Sequence, residues 1–146
     1  MSDAFGSRHP VVEFDGSGTE SSPPQAVKER IDAALERGFG SGSRAAVVRG
    51  LDRLHGQAAL MFHAYCDNEN AEHRRVAIVF TVYGGDEENS KQGGRGRDDR
   101  WVEGRLGERW AAEIGRDKLE PLLARIGNSN VFVSGEAEAT LTANGC

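Results

Sequence analysis

The sequence contains little cysteine and no long hydrophobic run. Its two cysteines, Cys66 and Cys146, are too few for a disulfide framework, so we predict a mostly reduced protein. The longest purely apolar run is VAIVF at 76–80, whereas a membrane-spanning helix needs about twenty such residues. The first ten residues lack the basic start and apolar stretch of a secretory signal. These absences predict a cytoplasmic protein, or a nuclear one in a eukaryote or a virus, without membrane contact.

Basic charge is also scarce. The net charge is −5, and no segment is strongly basic, whereas proteins that bind the nucleic acid backbone usually present a basic stripe. The chain has 146 residues with 38% hydrophobic residues, which is enough for one core and one domain. We predict a flexible acidic tail over 1–22, in which VVEF at 11–14 can donate one edge strand, and a single domain over 23–146.

Hydrophobic periodicity predicts helices after the tail. Apolar residues recur at helical spacing over about 23–37, Ser22 and Gln25 have the spacing of a capping box, and Gly38 ends the pattern. A second helix is predicted from Ser43 onward. Three apolar residues share one face of it: Val47, Leu51 and Leu54.

Residues 57–66 allow two interpretations. They can continue the apolar stripe of the second helix, although Gly56 interrupts it, or they can form a strand. The stretch RRVAIVFTVY at 74–83 is rich in β-branched residues and predicts a buried strand, which needs a neighbour for its backbone groups. We therefore favour a strand over 57–66 that forms a hairpin with 74–83 through the polar residues 67–73.

The second half is predicted to hold a long loop, two helices and a strand. Residues 84–99 contain no apolar residue, and helices follow over about 99–114 and 117–126. Alternation over 130–142 predicts a strand with one wet face, whose free edge would pair with a second copy in a homo-oligomer. The predicted fold class is α+β, with a small antiparallel or mixed sheet of three to four strands covered by about four helices.

The predicted order helix–strand–strand–helix–helix–strand is similar to that of the second kind of KH domain. That family binds single-stranded nucleic acid through a GxxG turn between paired helices, and here the corresponding GRDK at 115–118 ends in lysine. The 16-residue loop at 84–99 is also foreign to the family. The resemblance covers element order alone, and it implies nucleic-acid binding as an alternative function.

The most specific functional feature is KQGGRGRDDRW at 91–101. Glycine-spaced arginines can follow an RNA backbone while tryptophan stacks on a base, but acidic residues outnumber basic ones over 84–100. Trp110 belongs to the apolar stripe of its helix, so Trp101 is predicted to be exposed, as in an anchor for a protein partner. The predicted contact residues for a protein or RNA are Arg95, Arg97, Arg100, Trp101 and Arg105.

No catalytic pattern stands out. The GGRGR stretch lacks the lysine and hydroxyl residue of a phosphate-binding loop. His63, Cys66, His73 and Cys146 suggest zinc, but a strand over 57–66 would turn His63 and Cys66 to opposite faces. We predict no metal site, no cofactor and no enzymatic activity. The predicted function is that of a small binding protein (adaptor, inhibitor or assembly factor) acting on another protein, with RNA binding as the alternative and a divalent-metal hydrolase third.

Overall fold

The computed structural model describes residues 10–67, 71–83, 95–127, 130–133 and 139–144, with the backbone alone for 95–99 and from 130 onward. Its strands are β1 (Val12–Asp15), β2 (Ala45–Arg49), β3 (Ala77–Tyr83), β4 (Asn130–Val133) and β5 (Ala139–Asn144). Its α-helices are α1 (Pro24–Gly40), α2 (Gly56–Ala59), α3 (Met61–Tyr65), α4 (Arg95–Ile114) and α5 (Arg116–Ile126), and a 3-10 helix spans Leu51–Arg53.

The five strands form one sheet in the order β1-β2-β3-β5-β4. The three strands from the first half of the chain are parallel, and Val47 on β2 lies between Glu13 on β1 and Val79 on β3. The strands β5 and β4 extend the sheet beyond β3 in antiparallel pairings. Parallel neighbours need long crossovers, which α1 provides between β1 and β2 and the helical segment 51–65 provides between β2 and β3.

The predicted α+β class, with its antiparallel or mixed sheet of three to four strands, is wrong. The strands β1, β2 and β3 form an all-parallel three-stranded unit with helical crossovers, which is an α/β arrangement and not the hairpin-based sheet that we predicted. The predicted second helix contains β2 instead, and the predicted strand over 57–66 forms α2 and α3. Because β3 therefore pairs with β2 rather than with a hairpin partner, the element order also departs from that of the KH domain.

The glycine at position 56 shows why this error arose. We interpreted Gly56 as an interruption, whereas it begins α2 and lies against α4. A Cβ atom there would come within 3.1 Å of both the Trp110 Cβ and the Ile114 Cγ2 atoms. The backbone N–H of Gly56 also donates a hydrogen bond to the Glu113 carboxylate. Position 56 therefore requires glycine because α4 approaches its backbone closely. The spacing of residues along the chain does not reveal this contact.

The prediction of the first helix is confirmed, although α1 runs to Gly40. Its buried face is Val27, Ile31, Leu35 and Phe39. The predicted capping box is wrong, since Pro23 holds the N-cap position without a side-chain hydrogen bond. Gly38 does not end the helix; a Cβ there would lie 2.0 Å from Val12 Cγ2, so this glycine lets β1 pack on α1. The edge strand predicted for VVEF is confirmed as β1.

The strand predicted over 74–83 and the two later helices are also confirmed, with changed bounds. Because α4 begins at Arg95, the end of the predicted loop is helical, and residues 84–94 lie outside the described part of the chain. The single strand predicted over 130–142 is two strands, and β5 lies inside the sheet between β3 and β4. Because β5 has a neighbour on both sides, it offers no free edge for the self-association that we predicted.

The side chain of Cys66, at the end of α3, is disulfide-bonded and buried. The only other cysteine in the sequence is Cys146. The prediction of a reduced protein is therefore wrong, because two cysteines suffice for one long-range bridge even though they cannot form a framework. Among the residues described, no helix is both long and apolar enough to cross a membrane.

Candidate protein-binding face on α4 and α5

The inner side of α4 is fixed in the core. Val102, Leu106 and Trp110 are fully buried, as the apolar stripe predicts. The Trp110 indole N–H donates a hydrogen bond of 2.9 Å to the Leu54 carbonyl oxygen, which satisfies the one polar atom of a buried side chain. These contacts fix the position of α4 and its rotation about its own axis. The opposite side of the helix is therefore presented to solvent as a rigid surface.

Polar contacts hold α4 against the connector that follows β2. Arg105 pairs with Asp52 across 3.5 Å, and the Arg109 Nε donates to the Asp52 carbonyl oxygen across 3.3 Å. Arg109 also pairs with Glu113 four residues later. Arg105, which we predicted to contact a partner, therefore contributes to the scaffold, while its side chain stays 44% exposed.

Four of the five predicted contact residues lie on the N-terminal half of α4, and Arg105 lies just past its midpoint. Arg100 is exposed, whereas Trp101 is only partly exposed and packs against the core. The expectation of an exposed indole is thus not met, because the helix turns part of the ring toward the buried stripe. The side chains of Arg95 and Arg97 lie outside the described part of the structure, so the helical backbone alone places them in the first turn.

A groove of about 650 Å³ runs between α4 and α5. Its floor combines small residues with two leucines, and charged residues form its rim. The lining residues are Arg100, Glu103, Gly104, Gly107, Glu108, Ala111, Ala112, Arg116, Leu119, Glu120 and Leu123. We call this surface, together with the N-terminal half of α4, the α4–α5 face.

The packing of the domain does not require glycine at the two positions Gly104 and Gly107 of this face. A Cβ atom at Gly104 would have no atom within 4 Å, and one at Gly107 would meet only Leu119 Cδ2 at 3.9 Å. Each glycine weakens the helix by about 1 kcal/mol relative to alanine. An exposed helix with glycines at i and i+3 offers a path for close approach by a partner's backbone. The contact residues predicted from the sequence include neither of these glycines nor any residue of α5.

The rim of the groove carries charges of both signs. Arg100 and Arg116 face three glutamates, Glu103, Glu108 and Glu120. A surface that tracks a phosphate backbone needs an excess of positive charge. A balanced rim around an apolar floor is instead typical of a protein–protein interface.

Comparison with known proteins agrees with this interpretation. Residues 1–104 match the family described as lamina-associated polypeptide 1, AAA+ activator domain. The chain belongs to this family. The match spans β1 to the first half of α4, so the groove is only partly inside it.

Curated relatives of this activator family carry the name Torsin-1A-interacting protein 1. The chain is 37% identical to the protein from Bos taurus, 38% to that from Mus musculus and 36% to that from Homo sapiens, in each case over 84 residues. These alignments cover 56% of this chain and 14% of each relative. The chain thus spans about a seventh of the length of these relatives.

Family membership decides between the predicted partners. The coarser prediction, a protein that acts through a protein partner, is confirmed by membership of a family of AAA+ activator domains. The alternative of RNA binding receives no support, nor does the predicted homo-oligomer. The cytoplasmic location is also unsupported. The charge balance had favoured a protein partner, and the arginine-rich stretch together with the element order had suggested RNA.

Proposed function

We propose that this domain binds a torsin-type AAA+ ATPase through the α4–α5 face and stimulates its ATP hydrolysis. The match of residues 1–104 to an AAA+ activator domain carries the proposal, and the name of the relatives, Torsin-1A-interacting protein 1, supplies the class of partner. The α4–α5 face supports the assignment of the surface, because it combines an apolar floor, exposed glycines and a balanced rim.

The contact residues predicted from the sequence remain part of this proposal. Arg100 lines the groove, and Arg95 and Arg97 precede it on the backbone of the same helix. Trp101 and Arg105 adjoin it, and each also contacts the body of the domain. Their contribution to binding is therefore expected to combine direct contact with support for the helix.

An oxidising compartment at the nuclear envelope fits this function. The disulfide at Cys66 persists where thiols are not kept reduced, which excludes most of the cytosol. The family name associates its members with the lamina. We therefore place the domain on the lumenal side of the nuclear envelope, in contact with a partner in the same compartment.

A reconstituted assay tests the proposal. The purified chain is titrated into a torsin-type AAA+ ATPase, and ATP hydrolysis is measured together with binding by interferometry in the presence of ATP. We expect saturable binding and a rise in turnover. An ATPase rate that stays unchanged at saturating chain, in the absence of binding, would refute the proposed function.

Replacing Gly104 with alanine separates binding from stability. Because nothing surrounds the added methyl group and alanine is the better helix former, the free energy of unfolding should rise by up to about 1 kcal/mol. If a partner backbone approaches this position, binding of the ATPase should weaken. The matched control is Gly40→Ala at the end of α1, where an added Cβ also meets nothing within 4 Å. Unchanged binding in Gly104→Ala would remove this part of the face from the interface.

Arginine variants test how stimulation arises. Activators of nucleotide hydrolysis commonly supply a guanidinium that stabilises charge in the transition state, which raises kcat by about 10³–10⁵. Single alanine replacements of Arg100, Arg116 and Arg125 cover the arginines on the groove and on the last turn of α5. We expect one of them to abolish stimulation while binding persists, whereas Arg49→Ala at the end of β2 leaves both unchanged. Full stimulation by all three variants would exclude a guanidinium from these positions and would leave the binding proposal intact.

A further inference from the structure

A second group of polar side chains lies where α1, α3 and the residues before β3 meet. The candidate ligand atoms of Glu36, Glu72 and His73 lie within 4.8 Å of one another. These residues lie outside the α4–α5 face, within the stretch that the family matches. The group contains an imidazole as well as two carboxylates, so its chemistry differs from that of an ordinary acidic surface patch.

The spacing of two of these atoms is slightly shorter than the distance between neighbouring ligands of zinc. Nitrogen and oxygen ligands lie about 2.0–2.2 Å from the ion, so neighbouring ligands of a tetrahedral site are about 3.3–3.5 Å apart. The distance from His73 Nε2 to Glu36 Oε2 is 3.0 Å. A small outward movement of either side chain would therefore admit an ion between them, with the exposed carboxylate of Glu72 as the third ligand.

The carboxylate of Glu36 is oriented from its other side. The Tyr65 hydroxyl lies 2.8 Å from Glu36 Oε1 and 2.7 Å from Asp32 Oδ1, so it contacts the oxygen of Glu36 that does not face His73. Metal-binding carboxylates are commonly held by such a second hydrogen bond. Hydrogen bonds with His73 and Tyr65 lower the pKa of Glu36.

Two aromatic side chains fix the remaining geometry. The ring of Phe39 packs 5.3 Å from the ring of His73, centroid to centroid, which limits movement of the imidazole. Burial and the neighbouring carboxylates raise the pKa of Tyr65, so its hydroxyl stays a neutral donor at neutral pH. A hollow of about 280 Å³, lined by Asp32, Glu36, Ala64, Tyr65 and Glu72, gives an ion access from solvent.

We propose that Glu36, Glu72 and His73 bind one zinc-type divalent cation, with Tyr65 as a positioning residue that orients Glu36. The imidazole ligand favours zinc over calcium and magnesium, which take oxygen ligands. The ion would link α1 to the segment that leads into β3. The zinc set considered from the sequence, His63 with Cys66 and His73, is excluded because the Cys66 thiol is consumed by its disulfide.

Calorimetric titration of the full chain, without a histidine tag, with ZnCl₂ at pH 7.5 tests the site. We expect one Zn²⁺ per chain and a rise in the melting temperature that EDTA reverses. His73→Ala and Glu72→Gln should each weaken binding by at least about tenfold, and Tyr65→Phe by about tenfold. The control His63→Ala removes a histidine of α3 outside the group and should bind Zn²⁺ like the unaltered chain.

The exposed position of Glu72 ensures that at least one variant keeps its fold, which circular dichroism verifies for all of them. Absence of a binding isotherm, or equal affinity in the unaltered chain and in Glu72→Gln and His73→Ala, would overturn the proposal. The contact between His73 and Glu36 would then be an ion pair without a metal.

Discussion

Replacing Trp110 with alanine is expected to lower the free energy of unfolding by about 3–5 kcal/mol. The side chain is fully buried, and its removal would leave a large cavity between α4 and the connector at Leu54. The Leu54 carbonyl oxygen would also lose its 2.9 Å hydrogen bond from the indole. Domains of this size have about 5–15 kcal/mol of stability, so the variant should melt at a much lower temperature.

Two further variants separate the contributions at Trp110. Trp110→Phe keeps most of the ring volume and removes the hydrogen bond, which should cost about 1–3 kcal/mol. Trp101→Ala alters the other tryptophan of α4, which is only partly buried, and should cost less than Trp110→Ala. Urea unfolding followed by circular dichroism measures all three, because fluorescence would change with each lost tryptophan. Equal losses at Trp101 and Trp110 would contradict the placement of Trp110 at the centre of the core.

Reduction of the disulfide at Cys66 is expected to lower the free energy of unfolding by about 2–4 kcal/mol. A bridge between distant positions restricts the unfolded chain, and its loss restores that conformational freedom. Unfolding should be compared with and without a reductant, and Cys146→Ser should reproduce the reduced behaviour. The reductant should then have no further effect on Cys146→Ser. Alkylation of two thiols per unreduced chain under denaturing conditions would show that no bridge forms in solution.

Stimulation of the ATPase should depend on the same bridge if the disulfide supports the fold. A domain that loses several kcal/mol becomes only marginally stable, and its interaction surface is populated less often. We therefore expect weaker stimulation under reducing conditions. Adding a reductant to the partner ATPase alone provides the control for effects on that enzyme.

Long periodic segments were predictable from the sequence. The helices α1, α4 and α5 carry apolar residues at helical spacing over several turns, and β3 carries a run of β-branched residues. These patterns depend on neighbours within a few residues, so local chemistry suffices to recognise them. Their ends were less predictable, as the N-cap of α1 and the start of α4 show.

Short apolar segments were not predictable in the same way. AAVV within β2 and AALMF across α2 and α3 are both brief, and such runs fit a strand or a buried helix equally well. Our preference for a hairpin came from the need of β3 for a neighbour. That need is real, but β2, about 30 residues earlier in the chain, fulfils it.

The candidate sites also contain features that the sequence predicts and features that only the tertiary structure reveals. The arginine-rich start of α4 was recognised from its composition, whereas the groove required the packing of α5 beside α4. The group at Glu36, Glu72 and His73 joins residues that are far apart in the chain. His73 had been considered as a zinc ligand, but with different partners.

The sequence by itself determined that the chain forms one core, where its long amphipathic helices lie and that the β-branched run at 74–83 contains a strand with buried residues. Tertiary structure alone decided that β2 pairs with β3, that the three first strands run parallel and that Cys66 is bridged. It also decided that α5 packs beside α4 to form the groove. The physical reason is that periodicity reflects contacts within a few residues, whereas strand pairing, grooves and clusters arise from contacts between segments whose separation along the chain carries no local pattern.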